Sequence, residues 1–302
     1  MKLIIDTDIG DDIDDALALL LAMDMGEELV GITTVFGDTD KRARIARALL
    51  KSFGGGYEKT PVLKGLSAGV DGGVCQYTPD LDSQEYAPDN TEQEDATDFI
   101  IESAYRYGKE LTLLFIGPLT NLARVIEKDC AALERVNKTI IMGGAFFKQY
   151  ADWNVGCDAA AAKTVFDKAP KLFCLGADVT HMLDVDTDAE QIIGGYKGQN
   201  EAVGYISEMF SLWREAHPER RAILHDPLTV FYAKHPDCCL TEEARIAVIT
   251  EGYARGLTLN IDTYKNTNLN PLYENYDLTR KVTVATTVDR DRVVNRMIEC
   301  FK

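Results

Sequence analysis

Basic residues are in short supply: 32 lysines and arginines stand against 49 aspartates and glutamates, a formal net charge of −17. Such a chain repels polyanions, which argues against nucleic acid as a partner and favours a small neutral substrate. No apolar run is long enough to span a bilayer; the longest, such as Ala16–Met23, fall well short. The amino terminus enters a strand at once, with neither a basic stretch nor a cleavage site. None of the seven cysteines sits in a CxxC pair, and their number is odd. Several lie in apolar runs, as Cys174 does in LFCLGAD, and read as buried inert thiols suited to a reducing compartment. A soluble, cytoplasmic protein with no membrane partner is expected. Linkers, internal repeats and low-complexity tracts are also lacking. The Gly54-Gly55-Gly56 stretch and the polar segment Asp80–Asp95 read as loops, so 1–302 is expected to be a single domain.

What the chain has in abundance is aspartate at one place. LIIDTDIGDDIDDALALLLA, from Leu3 to Ala22, packs six into ten positions: Asp6, Asp8, Asp11, Asp12, Asp14 and Asp15. A strand at Leu3–Ile5 followed by a helix from about Asp14 would crowd these carboxylates into one turn, where they repel one another. A divalent cation relieves that repulsion, and an all-oxygen donor set favours calcium or magnesium over zinc. Aspartates at a helix start also cap free N–H groups and suit the helix dipole. Capping accounts for one or two of the six.

Short runs rich in β-branched residues recur at Leu3–Ile5, Val30–Phe36, Leu111–Ile116, Thr139–Met142 and Lys171–Leu175. Helical patterns lie between most of them, at Ala16–Met23, Arg42–Phe53, Thr91–Tyr107, Leu119–Glu127 and Ala159–Lys168. This alternation predicts an α/β fold with a mostly parallel central sheet flanked by helices. Ligands of such sheets bind outside the carboxyl ends of the strands. Small or polar residues follow each strand there: the aspartates, Gly37-Asp38, Gly117-Pro118-Leu119-Thr120-Asn121, Gly143-Gly144 and Gly176-Ala177-Asp178. Only four histidines are present. His225 precedes Asp226 at a helix start and is the functional candidate. His217 and His235, beside prolines in polar stretches, read as exposed, and His181 is open to either reading.

The chain resembles, almost end to end, the calcium-dependent nucleoside hydrolase family, the inosine-uridine preferring N-ribohydrolases. The resemblance rests on DTDIG...DDALAL, VGITTVFGD, LTLLFIGPLTNLA, IIMGGAF, DWNVGCDAAAAKTVF, LHDPLTV and VTVATTVDRDR. It implies a nucleoside hydrolase-like open α/β fold that splits ribonucleosides into ribose and free base, a place in purine or pyrimidine salvage, and a homo-oligomer, dimer or tetramer. By matching positions, Asp8, Asp15 and Asp226 would hold Ca2+ through side chains and Thr120 through its carbonyl. Asp14 would be the base on a calcium-bound water, and His225 the acid for the departing base. Asp38, Met142 and Asn154 match positions lining the ribose pocket. This division suits the chemistry: an oxocarbenium-like transition state gains from nearby negative charge, and a leaving base needs a proton donor that titrates near neutrality.

Three departures from the family pattern stand out. The opening loop is two residues longer, with Asp11-Asp12-Ile13 before the paired aspartates, so Asp12 rivals its neighbours as base or ligand. Asp38 replaces an asparagine. Asp152 replaces a glutamate, after a shortened loop at Phe147–Tyr150, so one ribose contact is expected to be missing; Asp152 and Asn154 are read as substrate-binding. Trp153 is read as a stacking residue or an ordinary aromatic, and Trp213 as core. Two alternatives stay open: a relative, silent or altered, that binds a different ribosyl compound, and a phosphohydrolase with Asp6 as nucleophile and Asp8 as acid-base group. An EF-hand is excluded, since counting from Asp6 the glycine is fifth and position twelve is Leu17.

Overall fold

Strand β1 (Lys2–Thr7) is buried from Leu3 onward, the mark of a central strand covered on both faces. It pairs in parallel with β2 (Glu28–Thr34) on one side and β4 (Leu111–Phe115) on the other. Outside β2 lies β3 (Val62–Lys64), and beyond β4 come β5 (Lys138–Met142), β6 (Leu172–Leu175) and β9 (Lys281–Val288), all parallel. The far side is finished by β7 (Cys239–Val248), antiparallel to β9, and β8 (Thr258–Asn260), antiparallel to β7. The order is therefore β3-β2-β1-β4-β5-β6-β9-β7-β8. These features come from a computed structural model that describes residues 1–67, 84–264 and 280–302. Cys75 and the beginning of the polar segment Asp80–Asp95 lie outside the described residues.

Helices cover both faces. On one, α1 (Asp14–Asp24), α2 (Thr39–Phe53), α8 (Thr187–Gly194), α9 (Glu201–Ala216), α10 (His225–Lys234) and α11 (Arg290–Glu299) share a core with β1. On the other, α3 (Asp95–Tyr107), α4 (Thr120–Arg135) and α6 (Ala159–Lys168) pack on a second cluster. Two short helices, α5 (Trp153–Cys157) and α7 (Ala177–Thr180), follow β5 and β6. Helix α1 is apolar all round after its first two residues and buried through Met23, which places it inside the molecule against α10 rather than on a surface.

The α/β class and the parallel sheet follow the sequence pattern; the differences are local. β2 stops at Thr34 and not Phe36, because Phe36 turns into the left-handed region at φ 68°. The fourth helix continues past Glu127 to Arg135 across a break at Asp129, and the third starts at Asp95 rather than Thr91. The chain leaves β1 to build β2 and β3 on one side, then returns to build β4 through β6 on the other. That reversal opens a crevice at the carboxyl ends of β1 and β4.

Candidate active site

A cavity of about 610 Å³ lies at that crevice. Asp8, Asp11, Asp12, Asp14 and Asp15 enter it from the β1–α1 turn, Met142 from the end of β5, Asp152, Trp153 and Asn154 from the start of α5, and His225 and Asp226 from the start of α10. Helices α1 and α10 thus turn their positive ends toward the acidic cluster, which favours anionic side chains there. Capping does not explain the aspartates of α1: Ile13 holds the N-cap position and makes no side-chain cap.

Asp14, Asp15 and Asp226 each bring a carboxylate oxygen within 4.8 Å of the others. They are 5%, 3% and 3% exposed, so little water shields their charges. Burial first, and mutual repulsion second, push all three carboxyls well above the usual range. Asp8 is raised to about 7 by burial, offset in part by the Arg42 guanidinium. The Thr7 hydroxyl donates to Asp15 and in turn accepts from Ile9 N (3.1 Å), fixing the loop's exit from β1. Close approach is needed as well: a Cβ on Gly117, after β4, would lie 2.8 Å from Asp8 Oδ1 and 2.9 Å from its backbone nitrogen.

Asn154 is buried and donates to the carbonyls of Ile116 (2.7 Å) and Met142 (3.2 Å), so it links the ends of β4 and β5 at the cavity floor. Asp152 caps α5, accepting from Val155 N (3.1 Å), and burial raises its carboxyl to about 6. His225 Nδ1 lies 2.6 Å from Thr180 Oγ1, with the His181 ring 5.3 Å away. Burial and His181 lower the His225 pKa to about 3, so the expectation that it titrates near neutrality fails in this setting. The imidazole is neutral at pH 7.

Two residues predicted for the site stand apart from the cavity lining. Asp38 is exposed and caps α2, accepting from Lys41 N (3.0 Å). Thr120 is buried at the start of α4, where its hydroxyl donates to Asp158 Oδ2 (2.8 Å). Asp6 is fully buried beneath the cluster and accepts from Thr33 Oγ1 (2.5 Å) and Asn121 Nδ2 (2.6 Å). A nucleophile must reach substrate, and Asp6 does not line the cavity, which closes the phosphohydrolase reading.

Chain comparisons bear on this arrangement. Residues 3–295 match the sequence model of the inosine-uridine preferring nucleoside hydrolases. The chain belongs to that family. It is a hydrolase acting on N-glycosyl compounds. Uridine nucleosidase 1 of Arabidopsis thaliana is 31% identical, the match covering 97% of this chain and 90% of the relative. A solved plant nucleoside hydrolase superposes with a TM-score of 0.80 at 27% identity, covering 99% of this chain and 98% of that one. A purine-preferring ribonucleoside hydrolase from Gardnerella vaginalis gives 0.77 at 27% identity, covering 100% and 98%.

In this nucleoside hydrolase the outer wall of the cavity is the part that sequence reasoning missed. Tyr150, His217, Arg220 and Arg221 line it, and Trp213 is at once core and cavity wall. Its indole Nε1 is buried with no hydrogen-bond partner among the described residues. His217 is half-buried, its ring 5.6 Å from Trp213, against the expectation of an exposed residue; His235 is likewise half-buried, 4.8 Å from Phe231. A signal existed, since Trp213 and His217 are four apart at the end of a helix and so share a face. Trp153 stays 60% exposed at the rim, edge-on to Phe36.

Proposed function

We propose that this chain, as one domain over 1–302, hydrolyses the N-glycosidic bond of ribonucleosides to give ribose and the free base. The observation that carries the reading is the buried triad of Asp14, Asp15 and Asp226 facing a cavity large enough for a nucleoside. Three carboxylates in that space, all of oxygen donors, fit a hard divalent cation, calcium by preference. Of that triad Asp15 and Asp226, joined by Asp8, would hold it through side chains, and Thr120, its hydroxyl turned away to Asp158, through its carbonyl, leaving Asp14 beside the ion as a base. When bound, it would supply charge neutralisation, a docking point for hydroxyl oxygens and a modest lowering of a water's pKa.

The chain's own residues then divide the work. Asp14 takes the proton from the attacking water, while the surrounding carboxylates favour positive charge developing on the ribose. Asn154, Met142 and Asp152 shape the sugar end. Taking Thr180 as donor to Nδ1 puts the His225 proton on Nε2; the neutral ring then holds the departing base by a hydrogen bond, and the base leaves as an anion that takes its proton from solvent. The six described cysteines are all free, in keeping with a cytoplasmic enzyme.

The test is release of free ribose from a panel that includes uridine and inosine, with and without chelator. Ribose formed from at least one nucleoside and abolished by chelator is expected. Failure with every member would overturn the reading and leave a silent binder of a different ribosyl compound.

A further inference from the structure

The added length of the acidic loop is matched by one side chain from another element. Arg42, in α2, is fully buried. Its Nη1 donates to the carbonyls of Asp8 and Ile9 (3.1 Å to the latter), its Nη2 to Asp11 Oδ2 (2.7 Å) and its Nε to the Phe36 carbonyl (2.7 Å). Phe36 accepts this bond from a left-handed backbone, φ 68°, that a bulky residue rarely adopts. Its ring lies 5.8 Å from the guanidinium. One planar cation thereby ties together the exits of β1 and β2, the start of the acidic loop and α2.

We infer that Arg42 and Asp11 form a positioning pair that keeps the acidic loop assembled for its cation, an inference that rests on the metal-site reading above. Without a fixed loop, the carboxylates of Asp8, Asp14, Asp15 and Asp226 would move apart to lower their repulsion, and a cation would have to reassemble them at a cost in affinity. Arg42 supplies a buried positive charge beside Asp8 and Asp15 and holds the loop by its backbone. Asp11, within the lengthened stretch, balances the guanidinium and closes the clamp. Asp12 lines the cavity beside Asp11 but outside the clamp, its carboxylate accepting from Ile13 N (2.7 Å). Lysine cannot replace the arginine: it has one donor group where four acceptors in different directions are served.

Calcium titration calorimetry on chelator-stripped wild type, Arg42→Lys and Asp11→Asn tests the pair, with circular dichroism reporting that each is folded. The wild type should bind Ca2+. Asp11→Asn should bind about 10-fold more weakly and Arg42→Lys about 10- to 100-fold, the usual range for partners of metal ligands. Activity lost at low calcium should return as calcium is raised, which a general folding defect would not show. A folded variant that binds Ca2+ like the wild type would overturn the inference. If Arg42→Lys does not fold, Asp11→Asn decides alone. A wild type that binds no divalent cation would overturn the metal reading itself, and the pair's role with it.

Discussion

Removing the Asp14 carboxylate separates base from ligand within the acidic cluster. Asp14→Ala should lower kcat by about 10²- to 10⁴-fold, the contribution of a positioned general base, while Ca2+ binding by calorimetry is kept. Loss of calcium with little loss of turnover would reverse the roles. On the opposite wall, Trp213→Phe deletes the orphaned indole N–H and keeps an aromatic ring in the core. Because Trp213 also walls the cavity, KM should rise with a smaller change in kcat if the indole's share of that wall binds ground state and transition state alike. These residues were not equally legible in the sequence. Asp8, Asp14, Asp15 and Asp226 were, because spacing after a strand or at a helix start fixes where a carboxylate lands. Arg42 was not: it lies in an ordinary amphipathic helix, and only the fold brings it beneath a loop more than thirty positions earlier. Asp38 matched a ribose-pocket position, yet it caps its helix at the surface.

Strand and helix existence was readable from alternating runs; element ends were less so. The strand before Phe36 ends early because the carbonyl of that residue is turned toward Arg42, a tertiary demand with no local sequence signature. The antiparallel pair β7 and β8 carries mixed exposed and buried positions and gives no continuous apolar run to find. At the end of β4, Gly117 is a further test. Gly117→Ala would drive a methyl group into the Asp8 backbone and side chain. It should cost about 1–3 kcal/mol by thermal unfolding, as overpacking commonly does, and weaken Ca2+ binding as Asp8 is displaced. A variant with unchanged Tm and calcium affinity would show that the turn can yield.

For the molecule as a whole, buried acid sets the pH response. Burial raises Asp6 and Asp8 to about 7 and Asp152 to about 6. Groups with raised values bind more protons folded than unfolded, so their contribution is whole below about pH 4 and is lost as pH climbs toward 7, about 1.4 kcal/mol per unit for each group. His225, lowered to about 3, acts in the opposite sense below its ordinary value of 6.5, but it is one imidazole against several carboxyls. In chelator, Tm measured by calorimetry should therefore be lower at pH 7.5 than at pH 5. Saturating calcium should recover most of the difference. A metal-free protein that melts higher at pH 7.5 would contradict the burial of these acids.

The position of β9 has its own consequence for how the chain is made. This strand is the last in sequence, yet it sits inside the sheet between β6 and β7. Until residues 281–288 have left the ribosome, β6 presents a bare hydrogen-bonding edge and the β7–β8 pair has no edge of the main sheet to dock on. Synthesis thus passes through a stage with an open seam in mid-sheet, and a chain ending before Lys281 would tend to associate through that seam rather than persist as a shorter enzyme.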